Sequence, residues 1–297
     1  MRKKLTGSLL LIFATVIWGS AFVSQSIGMD HIGPFTFQAV RCAMAVIALL
    51  PVTAIADRFK KDGKSFRRRW ADKKLWKAGL LCGIPLFLAC NLQQVGLVDV
   101  DAGKSGFLTA MYIVIVPVIG IFLRKKATIM VPISVGLAVV GLYFLSCMGA
   151  TGFQLGDLLL ISCALMFAIQ ITLVDQLAQN MDGLRLNTIQ ALVCAVLSSL
   201  VMAFTETPTL AGITACTIPL IHVGVFSMGI GYYLQIVGQQ SLDSTPATLI
   251  MSMESVFAAI FGVIFLKETM TGWEIFGSGL IFAAVILSQL PLPLRKK

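Results

Sequence analysis

The sequence predicts an all-α integral membrane protein of ten transmembrane helices, arranged as two inverted five-helix repeats. Three observations carry that expectation. The 297 residues are 57% hydrophobic and 12% charged, with a mean hydropathy of +0.89. A soluble domain carries about 25% charged residues, so this much apolar surface needs lipid to cover it. Ten apolar segments reach the length that crosses a bilayer, about 20 residues, and short polar or Gly/Pro-bearing gaps separate most of them. Four short patterns recur in the same order in the two halves.

The segments are 5–27, 34–56, 78–98, 103–123, 128–148, 155–175, 186–205, 217–238, 245–266 and 271–290. The first follows Arg2-Lys3-Lys4 as a signal peptide would. Its apolar run is too long for one and no small-x-small cleavage site precedes Gly28, so it is expected to be retained. No soluble domain fits between any two segments.

Lys and Arg set the orientation. With the N-terminus in the cytoplasm, Arg2 to Lys4, ten residues of the 57–77 loop, Arg124 to Lys126, Arg185 and Arg295 to Lys297 all lie inside, which is 20 of the 23 basic residues. Only Arg41, Lys104 and Lys267 remain. The net charge of +9 is therefore a topology signal and not the footprint of a nucleic-acid binder, since the 57–77 loop has no motif or fold to present bases. Attraction to anionic lipid headgroups follows from the same charges.

The repeat reads as follows. Gly7-Ser8-Leu9-Leu10-Leu11-Ile12 returns as Gly156-Asp157-Leu158-Leu159-Leu160-Ile161. Gln38-Ala39 with Cys42-Ala43 returns as Gln190-Ala191 with Cys194-Ala195. Leu92-Gln93-Gln94-Val95-Gly96 returns as Leu234-Gln235-Ile236-Val237-Gly238, and Ile121-Phe122-Leu123-Arg124 as Ile264-Phe265-Leu266-Lys267. The offsets lie between 142 and 152 residues. The two repeats are bounded at 5–148 and 155–290. Five crossings per half is an odd number, so the second half enters the membrane inverted. The 206–216 loop, counterpart of the basic 57–77 loop, has no Lys or Arg. Inverted repeats are the architecture of secondary transporters, with the substrate site between the halves near the midplane.

Several residues carry the candidate chemistry. Glu254 lies near the middle of the 245–266 segment, about 15 Å from either boundary by helical rise. A carboxyl at that depth needs a water-filled cavity, a partner or a proton, and intramembrane ionisable groups are functional candidates by default. It can carry a proton across, hold the ammonium group of an amino-acid-like or cationic substrate, or only join helices. Helical spacing gives polar stripes at Ser105, Thr109 and Tyr112, at Asn91 and Gln94, and at Tyr232, Gln235 and Gln239, with Met251 beside Glu254. The repeat makes Tyr112 the counterpart of Glu254, and Gln93 that of Gln235. Each stripe serves a shared cavity or interhelical hydrogen bonding. Trp18, beside Gly19 and Ser20, can stack on a substrate or serve as a core or interfacial aromatic. Arg41 is expected as a structural intramembrane charge that snorkels outward or pairs with a carboxylate or backbone carbonyls. Val193 stands at its counterpart position.

The chain resembles the EamA-type permeases of the drug/metabolite transporter superfamily across nearly its whole length. The marks are Ile17-Trp18-Gly19-Ser20, Arg41, the run Ala102 to Thr109, Val116-Pro117, Leu155-Gly156-Asp157-Leu158-Leu159, and Ser252-Met253-Glu254-Ser255-Val256-Phe257-Ala258 leading to Leu266-Lys267-Glu268-Thr269. The family often has proline where Ser255 stands, so the ninth helix is expected to be straighter here. The resemblance implies two five-helix repeats and transport of small metabolites such as amino acids or drug-like compounds, commonly export. The expected location is a bacterial cell (inner) membrane.

Other classes fit less well. Gly103-Lys104-Ser105 looks like the end of a nucleotide-binding loop, but Val98 stands where that loop needs glycine, so no nucleotide is expected. No GxSxG or HExxH motif occurs, and no enzyme is expected. An intramembrane enzyme acting on lipid, or a membrane receptor or scaffold, remain the competing readings. His31 and His222 have no second ligand at metal spacing, and of the seven cysteines Cys42, Cys82, Cys90, Cys147, Cys163 and Cys194 fall in apolar runs and read as small core hydrophobes. No metal or other cofactor is expected. The expected partners are a small-molecule substrate and the lipid bilayer, with no nucleic acid, for a monomer or homodimer. The orientation is checked by a reporter fused after Lys297: it reads as cytoplasmic, and an extracytoplasmic reading overturns the topology.

Overall fold

A computed structural model describes residues 2–60, 63, 65–100, 102–123, 130–146, 154–267 and 269–289. Arg124 to Lys126, Cys147, Glu268, Arg295 to Lys297 and the side chain of Lys104, all named above, lie outside this description. Every regular element among the described residues is helical. A backbone in hydrocarbon must close its own hydrogen bonds, and a helix does so within one segment.

In chain order the helices are α1 (Arg2–Met29), α2 (Pro34–Arg58), the short α3 (Phe66–Trp70), α4 (Lys73–Asp99), α5 (Ala102–Ala110), α6 (Tyr112–Phe122) and α7 (Met130–Ser146). The second half holds α8 (Leu155–Leu177), α9 (Gly183–Thr205), α10 (Leu210–Ala215), α11 (Thr217–Ile221), a π-helical stretch (His222–Gly231), α12 (Tyr232–Gln239), α13 (Ser244–Met251), α14 (Met253–Phe261), a second π-helical stretch (Gly262–Leu266) and α15 (Gly272–Gln289). Eight continuous or slightly broken helical runs are long and apolar enough to cross a membrane. In the segments expected at 128–148 and 271–290, the described helices are shorter apolar ones, Val131–Phe144 and Gly272–Leu287.

Local sequence sets the helix ends. Pro34 opens α2, where its missing N–H and fixed φ suit the first turn. Asp72 caps α4 by accepting from the Lys74 N–H at 2.9 Å. Asp157 and Gln154 close a reciprocal capping box on α8.

The side chains are sorted as a lipid-bathed protein requires. Phe204 is 89% exposed and Phe122 83%, while Gln38, Gln94, Gln170, Gln190 and Gln239 are fully buried. Between helices the contacts are made by small residues, which let backbones approach where no hydrophobic effect pulls them together. A Cβ added at Gly19 would stand 2.5 Å from Cβ of Phe257, and one at Gly141 2.7 Å from the carbonyl of Gly277. These two glycines seat α1 against α14 and α7 against α15.

Counterpart helices of the sequence repeat lie side by side. α2 packs along α9, and α7 along α15. The end of α2 meets the start of α9 through Asp57 and Arg185, and the start of α2 meets the end of α9 through Thr36 and Glu206, so α2 and α9 are antiparallel. Lys3, Gln179, Asn180, Gln240 and Ser241 border one cleft, and Lys60 pairs with Asp182. The N-terminus, the 57–77 loop and the α8–α9 and α12–α13 turns therefore share one end, called the basic end below. Burial opposes the charge of Asp182 there, but its hydrogen bonds from Lys60 and the Arg185 N–H, with the charges of both residues, outweigh burial and hold the carboxyl below its ordinary range.

Gly19→Val overpacks the α1–α14 contact and is expected to destabilise by about 1–3 kcal/mol, read as a lower Tm in detergent. Gly120→Ala, whose Cβ meets nothing within 4 Å, leaves Tm at or above that of the unaltered chain; a Tm for Gly19→Val equal to it overturns the packing argument.

Candidate functional site

Two spans are interrupted at corresponding places. Met111 separates α5 from α6, and Ser252 separates α13 from α14. Their backbones are nearly the same, φ −59° and ψ −11° at Met111, φ −62° and ψ −14° at Ser252. At each break the bonding tightens from i→i+4 to i→i+3: the Val114 N–H donates to the Met111 carbonyl at 3.0 Å, and the Ser255 N–H to the Ser252 carbonyl at 3.3 Å. Such turns within a helix mark hinges and functional places. Ser252 has a local cause, since its hydroxyl donates back to the Leu249 carbonyl at 2.8 Å, a contact that bends helices. The ninth span is thus interrupted at Ser252, although Ser255 replaces the proline.

The residues just past the two breaks face each other. The Tyr112 hydroxyl donates to Oε1 of Glu254 at 3.0 Å, and Glu254 is 6% exposed. The counterparts of the sequence repeat are here hydrogen-bond partners. Nearby, the Ser255 hydroxyl donates to the Gly106 carbonyl at 3.3 Å, tying α14 to α5.

Tyr112 and Glu254 border a cavity with about 490 Å³ of space not filled by protein atoms, open solvent included. Residues of α1 spaced i, i+3, i+4 and i+7 line one wall, namely Trp18, Ala21, Phe22 and Gln25. Arg41 of α2, Gln93 of α4, Thr109 of α5, Phe167 and Gln170 of α8, Ser227 of the π-helical stretch, Tyr232 and Gln235 of α12 and Met251 of α13 complete most of it. The Trp18 and Tyr232 rings meet at 5.1 Å between centroids, tilted by 54°. The Trp18 indole N–H reaches the Ser227 carbonyl at 3.4 Å and lies against Gly231, where a Cβ would come within 2.6 Å of it.

The cavity holds both intramembrane charges that the sequence singled out. Arg41 neither snorkels nor pairs with a carboxylate among the described residues. It is buried, and a terminal guanidinium nitrogen donates to Oε1 of Gln25 at 2.7 Å. The guanidinium thus stands in the cavity with a neutral partner, leaving its charge uncompensated by any described carboxylate.

Of the sequence candidates, Trp18, Tyr112, Tyr232, Gln235 and Glu254 gather around the cavity with Arg41, and Asn91 and Gln94 do not line it. Asn91 turns to α9, donating to the Ser198 hydroxyl at 2.9 Å and to the Phe87 carbonyl at 2.8 Å. Gln94 is fully buried and its amide meets no hydrogen-bonding group among the described residues. Gln93 takes the cavity position instead and donates to the Thr109 hydroxyl at 3.4 Å. Gln235 donates to Oε1 of Gln170 at 3.1 Å and to Oε1 of Gln239 at 2.9 Å, linking α12 to α8.

Sequence reasoning passed over Gln25, Phe167 and Gln170. Gln25 carried a signal, since it shares the face of Trp18 at i+7, and Gln170 is the amide of an otherwise apolar stretch. Phe167 carried none, because an aromatic in an apolar span is unremarked. His222 has no second ligand at metal spacing in the sequence, and its two ring nitrogens lie 3.2 and 2.9 Å from the hydroxyls of Ser20 and Ser24 on α1.

Comparison with known proteins agrees with this architecture. The model of the EamA-like transporter family matches residues 5–147 and again 154–290. A protein of Archaeoglobus fulgidus described as an uncharacterized transporter is 33% identical over 289 residues, which is 97% of this chain and 87% of that protein. A crystal structure of a protein with 16% identity has a TM-score of 0.76 over 95% of this chain and 96% of that one, a likeness of fold. With two successive matches that span nearly all of it, the chain belongs to the EamA-like transporter family.

Proposed function

We propose that this membrane transporter is a secondary transporter of small metabolites, such as amino acids or drug-like compounds, working by alternating access in the direction of export. In this reading ten helices cross the membrane as two inverted repeats, and both termini face the cytoplasm of a bacterial cell at its inner membrane. The observation that carries it is the hydrogen bond from Tyr112 to Glu254, made across two helices interrupted at corresponding positions and beside a cavity that also holds Arg41. Broken helices in matching places of the two halves are where such transporters build their sites.

The geometry supports two roles for Glu254. A carboxyl that exchanges its proton with whichever side is open couples transport to a proton gradient. A carboxylate that binds an ammonium group fixes one end of a substrate whose carboxylate meets Arg41. In both, Trp18 and Tyr232 supply an apolar and aromatic wall, and the amides of Gln93, Gln170 and Gln235 supply neutral hydrogen bonds.

The test uses purified protein in proteoliposomes, with a substrate taken from a panel of metabolites and drugs screened by efflux from cells with and without the protein. Glu254→Gln keeps the size and a hydrogen-bonding amide but can neither exchange a proton nor bear charge. It should fold as the unaltered chain does and lose gradient-driven accumulation. Counterflow exchange survives if the role is coupling and fails if the substrate's charge is bound there. Tyr112→Phe removes one hydrogen bond to an ionisable group and lowers transport about tenfold to a hundredfold, following about 1.5–3 kcal/mol for such a bond. Normal gradient-driven transport by Glu254→Gln, with normal pH dependence, overturns both roles.

A further inference from the structure

Charged residues outside the cavity join α2 to α9 at both ends. Away from the basic end, Glu206 follows the last turn of α9 and reaches the first turn of α2. Its Oε1 accepts from the Phe35 N–H at 2.9 Å, and its Oε2 accepts from the Thr36 N–H at 2.7 Å and the Thr36 hydroxyl at 2.6 Å. The first turn of a helix has unpaired N–H groups and partial positive charge, so a carboxylate binds there by both means. Gly33 makes the room: a Cβ there would stand 2.4 Å from the Glu206 carboxyl carbon. The glycine serves space alone, since its φ of −65° and ψ of 158° are open to any residue.

At the basic end the helices exchange roles. Asp57, in the last turn of α2, pairs with Arg185 in the first turn of α9, and Arg185 pairs also with Asp182. The Arg185 side chain is 2% exposed, and its guanidinium carbon lies 5.8 and 5.5 Å from the ring centroids of Phe66 and Trp70, a cation–π arrangement. Because α2 and α9 are counterparts in the repeat, the two clasps are related to one another. At each end an acid from the close of one helix holds the opening of the other. Of this pair, α2 gives the cavity Arg41, and no cavity-lining residue comes from α9.

The geometry points to Glu206 and Arg185 as positioning residues for substrate binding: by pinning both ends of α2 to α9, they set the depth and rotation at which Arg41 meets the cavity. This rests on the reading of Arg41 as a binding group. A helix that slips by one residue moves its side chains about 1.5 Å along the axis and turns them about 100°, which takes the guanidinium off Gln25.

The experiment joins a substrate-free readout to transport kinetics in the full-length protein. Spin labels are placed on cysteines at the lipid-facing positions Ile47 of α2 and Ile286 of α15, in a chain whose own cysteines are replaced. The distance between them is measured for the parent, Glu206→Ala, Gly33→Ala, Arg185→Gln and Arg185→Lys. Gly33→Ala keeps every charge and only blocks the approach of Glu206, so it guards against a charge variant that fails to fold. The expected result is a distance distribution shifted or broadened by about 2 Å, near one residue of rise, in Glu206→Ala, Gly33→Ala and Arg185→Gln, with a smaller change in Arg185→Lys. In those variants KM rises about tenfold, as for the loss of one charge-assisted hydrogen bond, and the maximal rate is held. In an Arg41→Gln chain the clasp variants add nothing further to KM, as residues acting through one group should behave.

Unchanged distances overturn the proposal whatever the kinetics do. Changes in maximal rate at constant KM also overturn it and make the clasps gates. KM effects that add to that of Arg41→Gln overturn it by showing a route that bypasses Arg41. If Arg41→Gln alone leaves KM as in the parent, the reading of Arg41 as a binding group fails, and the distances still decide whether the clasps position α2.

Discussion

Hydrocarbon offers no hydrogen bonds, and most of this structure follows from that. Each backbone polar group in a span has to be paired within its own helix or within the protein. Each polar side chain has to find a partner, a cavity or an end of the membrane. The buried amides of Gln170, Gln235 and Gln239 answer by bonding to one another and to the Ile171 carbonyl. The serines and threonines answer by bonding back to their own helices, as Thr53 does to Leu49 and Thr172 to Ala168. Large apolar side chains are left for the lipid, and glycines such as Gly19 and Gly141 are left for helix contact. The usual order of a soluble protein, with large hydrophobes inside, is partly turned about.

Against that background the cavity is where the rule is relaxed. Glu254 and Arg41 are both buried, and each has a neutral partner, Tyr112 and Gln25 respectively. Neither Glu254 nor Arg41 is paired with an opposite charge among the described residues. The interruptions at Met111 and Ser252 lie beside this place.

The two halves share their frame and differ in their chemistry. The breaks at Met111 and Ser252 match in backbone geometry, yet Tyr112 stands one residue past the first and Glu254 two residues past the second. Arg41 enters the cavity from α2, while Val193 at the counterpart place on α9 packs against Gly83 of α4. Repetition supplies the scaffold twice; the charges are supplied once.

The sequence by itself determined the solvent, the apolar segments, the repeat and the presence of a carboxyl at mid-span. These depend on composition and spacing, which a chain carries without folding. Repeat arithmetic made Tyr112 and Glu254 counterparts, but only the tertiary structure decided that counterparts would be in contact, because contact depends on how the halves are laid against each other. The same holds for Arg41, whose depth could be counted along α2 while its neighbour Gln25 could not. It holds for Gln93 and Gln94, which lie about 100° apart around the helix, where helical phase alone chooses which amide reaches the cavity, and that phase lies outside what a pattern of polar residues can fix. Arg185 shows the limit most plainly. Counted along the chain it is one more basic residue near a span end, and in the fold it is a buried charge held by Asp57 from the other half. Its partners are 128 and 3 residues away, and separations of the first kind are set by packing, not by local sequence.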